Sequence, residues 1–280
     1  ADPMFLQIWD KIKFHTKYSV NYETAELITL AAKAVKDMDE TKKPSIRSTK
    51  KKVLITDEGI EGQLLSDSGK DDYNYHIDMP DMLGYIQSKT ELTRSTILEI
   101  IKKSGRIAEV LINPQLFMDN IVSSIRQVLY ALMIEGIKYE KIGGKIYEMK
   151  LFDDNELEIY VDKFTHTVLQ PDKTIYENLI PLQSDVESEF AKDCESSENI
   201  EFYFKLPFWF KIQTPIGPYN PDWAIVFKDE KKIYFVAETK SAGQELRGSE
   251  KLKIKCGKEH FKEFDDVVYK RVATVSELSK

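Results

Sequence analysis

Hydrophobic positions in the first half of the chain recur mostly at helical spacing, and in the second half they cluster into strand-length runs. The early part opens with a strand-like run over 14–22 and a helix over 23–35. Residues 57–75, rich in Asp, Gly and Ser, read as a loop. Two closely connected helices follow over 81–87 and 93–103, with Thr93 as N-cap, Ile97, Ile100 and Ile101 as the apolar face and Gly105 as the stop. Such a pair either forms a helix-turn-helix or packs as ordinary helices. A further helix is predicted over 115–135. From about residue 142 strands take over, at 145–152, 157–161 and 174–180. Then come a helix over 185–195, a strand over 200–206, a hairpin of 223–227 with 233–239, a helix over 250–264 and a closing strand over 267–275. This order predicts an α/β (α+β) fold with a mixed sheet flanked by helices, and two domains: 4–141, mixed helical and β, and 142–280. Ala1, Asp2 and Pro3 precede Met4 and read as a remnant outside the fold.

Composition narrows the class. An apolar fraction of 42% with 31% charged residues fits a globular chain that buries a core. No apolar run reaches membrane-spanning length, and the N-terminus carries no signal-peptide pattern. Two cysteines, Cys194 and Cys256, form no CxxC pair, so a reducing cytoplasm is the expected location. A net charge of −7 weighs against a passive nucleic-acid coat but not against a nuclease, whose metal site needs carboxylates. Basic residues do concentrate locally. Residues 41–52 hold Lys42, Lys43, Arg47, Lys50, Lys51 and Lys52 without an acid, which suits either phosphate contact or a lysine-guarded edge strand.

The chemistry gathers on the hairpin. Pro221-Asp222 precedes Glu238-Thr239-Lys240 by fifteen intervening residues. Residues two apart on a strand share a side, so Glu238 and Lys240 project together and Thr239 points away. The turn brings Asp222 opposite the end of the second strand. Both strands are apolar on both faces, as in a covered central sheet, and charge at its rim is costly unless used or paired. A third carboxylate is expected from the preceding helix, where Glu187 lies near the face defined by Val186, Phe190 and Cys194. Ser184-x-x-Glu187 also fits a capping box, and the two roles stay open. Lys251, Lys255 and Lys258 on the following helix suit phosphate contact or plain solvation. His260 is expected at the site or a phosphate, and Cys256 in packing, because two residues four apart do not make a zinc site. No GxxxxGK[ST] occurs, so no ATP site of that kind is expected.

These segments resemble a known family. Gln183-Ser184-Asp185-Val186-Glu187, Lys205-Leu206-Pro207, Tyr219-Asn220-Pro221-Asp222-Trp223, Phe235 through Lys240 and Glu250 through Phe261 resemble, in order, the nuclease domain of type III restriction enzymes. Residues 8–20 and 92–97 resemble the spacer that precedes it in the restriction (Res) subunit. The resemblance implies a PD-(D/E)XK fold over 142–280 and a magnesium-dependent endonuclease acting on double-stranded DNA in phage defence. Asp222 and Glu238, joined by Glu187, would hold Mg2+, and Lys240 would position water or stabilise developing charge. The partners implied are a methyltransferase (Mod) subunit and a helicase motor. The motor is absent from this sequence, so the chain is expected to be a fragment or a stand-alone relative. The competing classes are a DNA-binding or assembly module without catalysis and a related defence nuclease.

Overall fold

Asp2 starts the fold rather than standing outside it. Its carboxylate accepts from the amides of Met4 (2.7 Å) and Phe5 (3.2 Å), and Pro3 sits in the first turn, which needs no N–H there. The helix so begun, α1 (Pro3–Ile12), buries Phe5, Ile8, Trp9 and Ile12 on one face. The hydrophobic pattern predicts no helix here, its first element being the strand-like run over 14–22.

The computed structural model describes residues 2–56, 59–72, 79–148, 165–182, 184–228, 234–239 and 247–278, with backbone alone at 45–48, 54–56, 59–72 and 234–238. Two compact units divide the chain, residues 22–132 and residues 1–21 together with 133–280. The N-terminal segment therefore folds with the C-terminal unit, whereas the sequence pattern drew its boundary near 142.

In the unit of residues 22–132, α2 (Thr24–Asp37) packs on α4 (Arg94–Ser104), which buries Ile97, Ile100 and Ile101. Thr93 caps α4 and Gly105 ends it in the left-handed region at φ 74°, both as the pattern required. α3 (Met82–Thr90) and α5 (Pro114–Glu135) lie close to their expected positions. The predicted loop does not form. β2 (Ser45–Thr56) and β3 (Gly59–Asp72) make a long antiparallel hairpin, with register shifts at 46–48 and 50–51. Poor strand residues are held there by ladder pairing, which sets acidic positions of β3 level with β2, as in Thr49↔Asp67 and Leu54↔Glu61.

In the other unit, β1 (Phe14–Ser19) pairs antiparallel with β4 (Lys138–Ile146). β4 begins seven residues before the strand predicted at 145–152, and the strand predicted at 157–161 lies outside the described residues. The strand predicted at 174–180 shrinks to β6 (Leu179–Pro181), paired with β5 (Thr165–Thr167), and Pro171–Lys173 before it coil into a single 3-10 turn.

The central sheet has the order β10-β9-β8-β7, formed by β7 (Ile200–Lys205), β8 (Trp223–Phe227), β9 (Tyr234–Thr239) and β10 (Val267–Val272). β7, β8 and β9 run antiparallel, and β10 lies parallel to β9, so the sheet is mixed. Every residue of β8 is buried, as a strand covered on both faces demands. One face carries Phe202, Phe204, Ala224 and Val226 against α1 and α7 (Gly248–Phe261). The other carries Tyr203, Trp223 and Ile225 against Phe190, Ala191 and Cys194 of α6 (Asp185–Ser196). A bulge between Ile200 and Phe202 shifts the alternation, which brings Ile200 and Tyr203 to the same face. Among the described residues no helix is long and apolar enough to cross a membrane.

Candidate active site

Three chain segments converge at the ends of β7, β8 and β9. Asn220 sets the approach to β8, its side-chain amide donating to the carbonyls of Phe210 (2.8 Å) and Pro207 (3.1 Å). Pro221 fixes its own φ and biases the preceding Asn220 toward extended backbone on the way into β8. The Leu206 amide donates to the Asp222 carbonyl at 2.8 Å, which ties the end of β7 to the start of β8.

Asp222 is held from the other side by β9. Its Oδ2 accepts the Thr239 N–H at 2.7 Å and the Thr239 hydroxyl at 2.8 Å. Regular alternation assigned the Thr239 side chain away from the acids. At the strand end its hydroxyl instead turns to Asp222 and completes a two-donor grip. The register Trp223↔Ala237 sets Glu238 one step on, level with Asp222, and the backbone of Glu238 lies in register with Arg271 of β10. The Glu238 side chain and Lys240 lie outside the described residues.

Glu187 comes from the first turn of α6. The Ser184 hydroxyl accepts its amide at 3.3 Å, which is the capping half of the local motif. Its carboxylate is buried and pairs with the Lys205 ammonium at the end of β7, so it faces the sheet. Lys205 also stands 6.0 Å from the centre of the Trp223 ring. Burial, and next to it the Glu187 carboxylate, raise the pKa of Asp222 above the usual carboxylate range. The Thr239 donors and Lys205 work against that rise. Glu187, Lys205 and Asp222 thus sense one another electrostatically at one rim of the sheet.

Two carboxylates that compete for one small space form a donor set suited to a hard cation. Among the described residues no group of three or more His, Cys, Asp or Glu gathers as a metal site. Glu187 and Asp222 are the two acids brought together there, with the Glu238 backbone at the level of Asp222.

The α7 residues separate into two kinds. Lys251, Lys255 and Lys258 are exposed, and their i, i+4, i+7 spacing puts them along one helix face. Lys253 is occupied, donating to the Pro218 carbonyl at 3.0 Å. His260 does not face a phosphate. It is fully buried, its Nδ1 lies 2.9 Å from the Thr16 hydroxyl, and its ring packs on Tyr139, Phe261 and Phe264. Helix periodicity carries it inward with Cys256, four residues earlier, so the expected site contact is corrected to a core role. Cys256 packs in the core as anticipated, and burial lifts its thiol to about 11.

Sequence reasoning placed Lys205 and Gly257 within matching segments but gave neither a role. Lys205 ends an apolar strand with a charge, the same signal that singled out Glu238 and Lys240. Gly257 has no local signal. It lets α7 approach the 212–222 segment, since a Cβ there would stand 2.6 Å from the Tyr219 ring.

No curated protein and no solved structure matches the chain. Residues 172–275, which hold α6, the central sheet and α7, match the family model RE_endonuc, described as an endonuclease domain, and this supports a restriction-type endonuclease domain over that stretch.

Proposed function

We propose that residues 142–280 are a magnesium-dependent DNA endonuclease of the PD-(D/E)XK kind, the cutting part of a type III Res subunit. One observation carries the reading: Glu187 pairs with Lys205, which lies level with Trp223 beside Asp222, at the end of the hairpin whose register sets Glu238 level with Asp222. Asp222, Glu187 and Glu238 would hold Mg2+, which matches their hard oxygen donors. Bound there, magnesium supplies Lewis-acid stabilisation of charge on the phosphate oxygens. Thr239 keeps Oδ2 of Asp222 engaged, so the direction of the carboxylate is fixed before any ligand arrives. Lys240, two residues beyond Glu238, would present its ammonium to the attacking water and the charge that develops. Lys251, Lys255 and Lys258 would meet backbone phosphates of double-stranded DNA. A motor and a methyltransferase partner would deliver DNA to this domain in the cytoplasm.

Nicking of supercoiled plasmid with Mg2+ tests the assignment. Wild type should cut, and Asp222→Ala and Lys240→Ala should each lose cutting while still folded. Equal cutting by all three proteins would overturn it. If wild type needs its partners to cut, Mg2+ titration decides instead: binding should be present in wild type and lost in Asp222→Ala.

A further inference from the structure

Lys205 is placed unlike the lysines of α7. Lys251, Lys255 and Lys258 extend into solvent, whereas the Lys205 side chain is 13% exposed and its partner carboxylate on Glu187 is 9% exposed. The ammonium is enclosed between that carboxylate and the Trp223 indole, at the rim where Asp222 stands. A sheltered charge of this kind is costly to leave unpaired, so its partner is held firmly.

Glu187 and Asp222 have different attachments. Asp222 has Oδ2 fixed by Thr239, and among the described residues Oδ1 accepts no hydrogen bond. Glu187 has its Oε2 committed to Lys205. A divalent cation shared by the two acids would draw on the same Glu187 carboxylate that the ammonium already neutralises. Two cations at one carboxylate repel each other, so the ammonium and the metal oppose one another there.

We propose that Lys205 is a built-in counter-ion for Glu187 that competes with the divalent cation and so weakens metal binding by the empty site. The inference rests on the metal-site reading of Asp222 and Glu187 given above. It makes Lys205 a positioning residue that acts through Glu187. Neutralising Glu187 when no metal is bound keeps the acidic rim folded, and the cost appears as a lower metal affinity. If the ion pair dominates the metal-free state, its loss should tighten metal binding by about tenfold.

The test uses the full chain with Mg2+ alone, without DNA, by titration calorimetry and by thermal unfolding with and without the metal. Lys205→Met keeps the apolar stem and removes the charge, and Lys205→Gln serves if the methionine variant does not fold. Either should bind Mg2+ about tenfold more tightly than wild type. Its metal-free Tm should fall below wild type, and Mg2+ should raise that Tm by more than it raises wild type. Lys205→Arg should return affinity toward wild type. A merely structural lysine would give the opposite sign, with a loosened site and weaker binding. Unchanged or weaker affinity in a folded Lys205 variant overturns the proposal. When that happens while wild type binds and Asp222→Ala does not, the metal site stands and only the role of Lys205 falls. If folded wild type and the Lys205 variants all fail to bind Mg2+, both readings fall.

Discussion

Thr239 holds the carboxylate of Asp222 with two donors at once, its backbone N–H at 2.7 Å and its hydroxyl at 2.8 Å, both on Oδ2. Thr239 ends β9 and Asp222 stands at the entry to β8, so the pair closes the hairpin at its open end. Thr239→Val preserves shape and strand propensity and deletes the hydroxyl alone. A hydrogen bond to a charged acceptor is worth about 1.5–3 kcal/mol, and the backbone donor remains, so a stability loss of about 1–2 kcal/mol is expected in urea unfolding. Mg2+ affinity or nicking should fall about 10-fold or more, as when a supporting partner of a ligand is removed, and Thr239→Ser should recover most of it. Unaltered binding and cutting in Thr239→Val would show that the grip does not orient Asp222.

Gly257 tests how the opposite side of Asp222 is held. A Cβ at this position would stand 2.6 Å from Tyr219 Cε1 and 3.1 Å from the Tyr269 ring. These two tyrosines are hydroxyl-bonded to each other, and Tyr219 precedes Asp222 by three residues. Gly257→Ala should gain about 1 kcal/mol from helix propensity. Overpacking against two buried rings costs about 1–3 kcal/mol, so the clash is expected to win. The variant should unfold at lower urea and lose nicking beyond what the stability change explains. A more stable variant with full activity would mean that the Tyr219 segment shifts without disturbing Asp222.

Much of the central sheet is legible from pattern alone, because β8 is apolar at every position and α6 carries a Ser184 cap. The hairpin of β8 and β9 follows from two apolar runs around a polar stretch, and its spacing leads directly to Asp222 and Glu238. What escapes the pattern depends on contacts distant in sequence. β3 is poor in strand formers and is held by its ladder with β2. α1 begins at a cap on Asp2, which a reading that discards the first residues cannot see. The inward direction of His260 was open to helical periodicity, since Cys256, Gly257 and Phe261 share its buried face. The grip of Thr239 and the pairing of Lys205 were not, because they arise where strands end and alternation ceases to govern side chains.

Lys251, Lys255 and Lys258 give a prediction that separates phosphate contact from solvation. In the Asp222→Ala background, which prevents cutting, DNA affinity of the full chain is measured across salt concentrations. Each phosphate contact contributes about −0.9 to the slope of log affinity against log salt. Replacing all three lysines by alanine should flatten that slope by about 2–3 and weaken binding to any duplex sequence alike. Stability should hardly change, since the three side chains are exposed. An unchanged slope would assign these lysines to solvent only.

His260 makes stability depend on pH through burial rather than through chemistry at the site. Desolvation, and then the charge of Lys141, lower its pKa from 6.5 to about 3. The unfolded chain therefore binds a proton that the folded chain refuses between those values. Unfolding is favoured as pH falls, so the contribution of His260 is fully present above about pH 6.5 and is lost progressively on the way down to about 3. The slope for one such group approaches 1.4 kcal/mol per pH unit inside the window. Among the described residues Nε2 has no hydrogen-bond partner, and Nδ1 meets Thr16, so a phenylalanine ring sacrifices one bond and gains an apolar fit. His260→Phe should therefore make the pH dependence of urea unfolding shallower between pH 6.5 and 4, with little change in the pH dependence of Mg2+ binding. If wild type and variant lose stability in parallel over that range, His260 accepts its proton in the folded state and its burial is less complete than the packing implies.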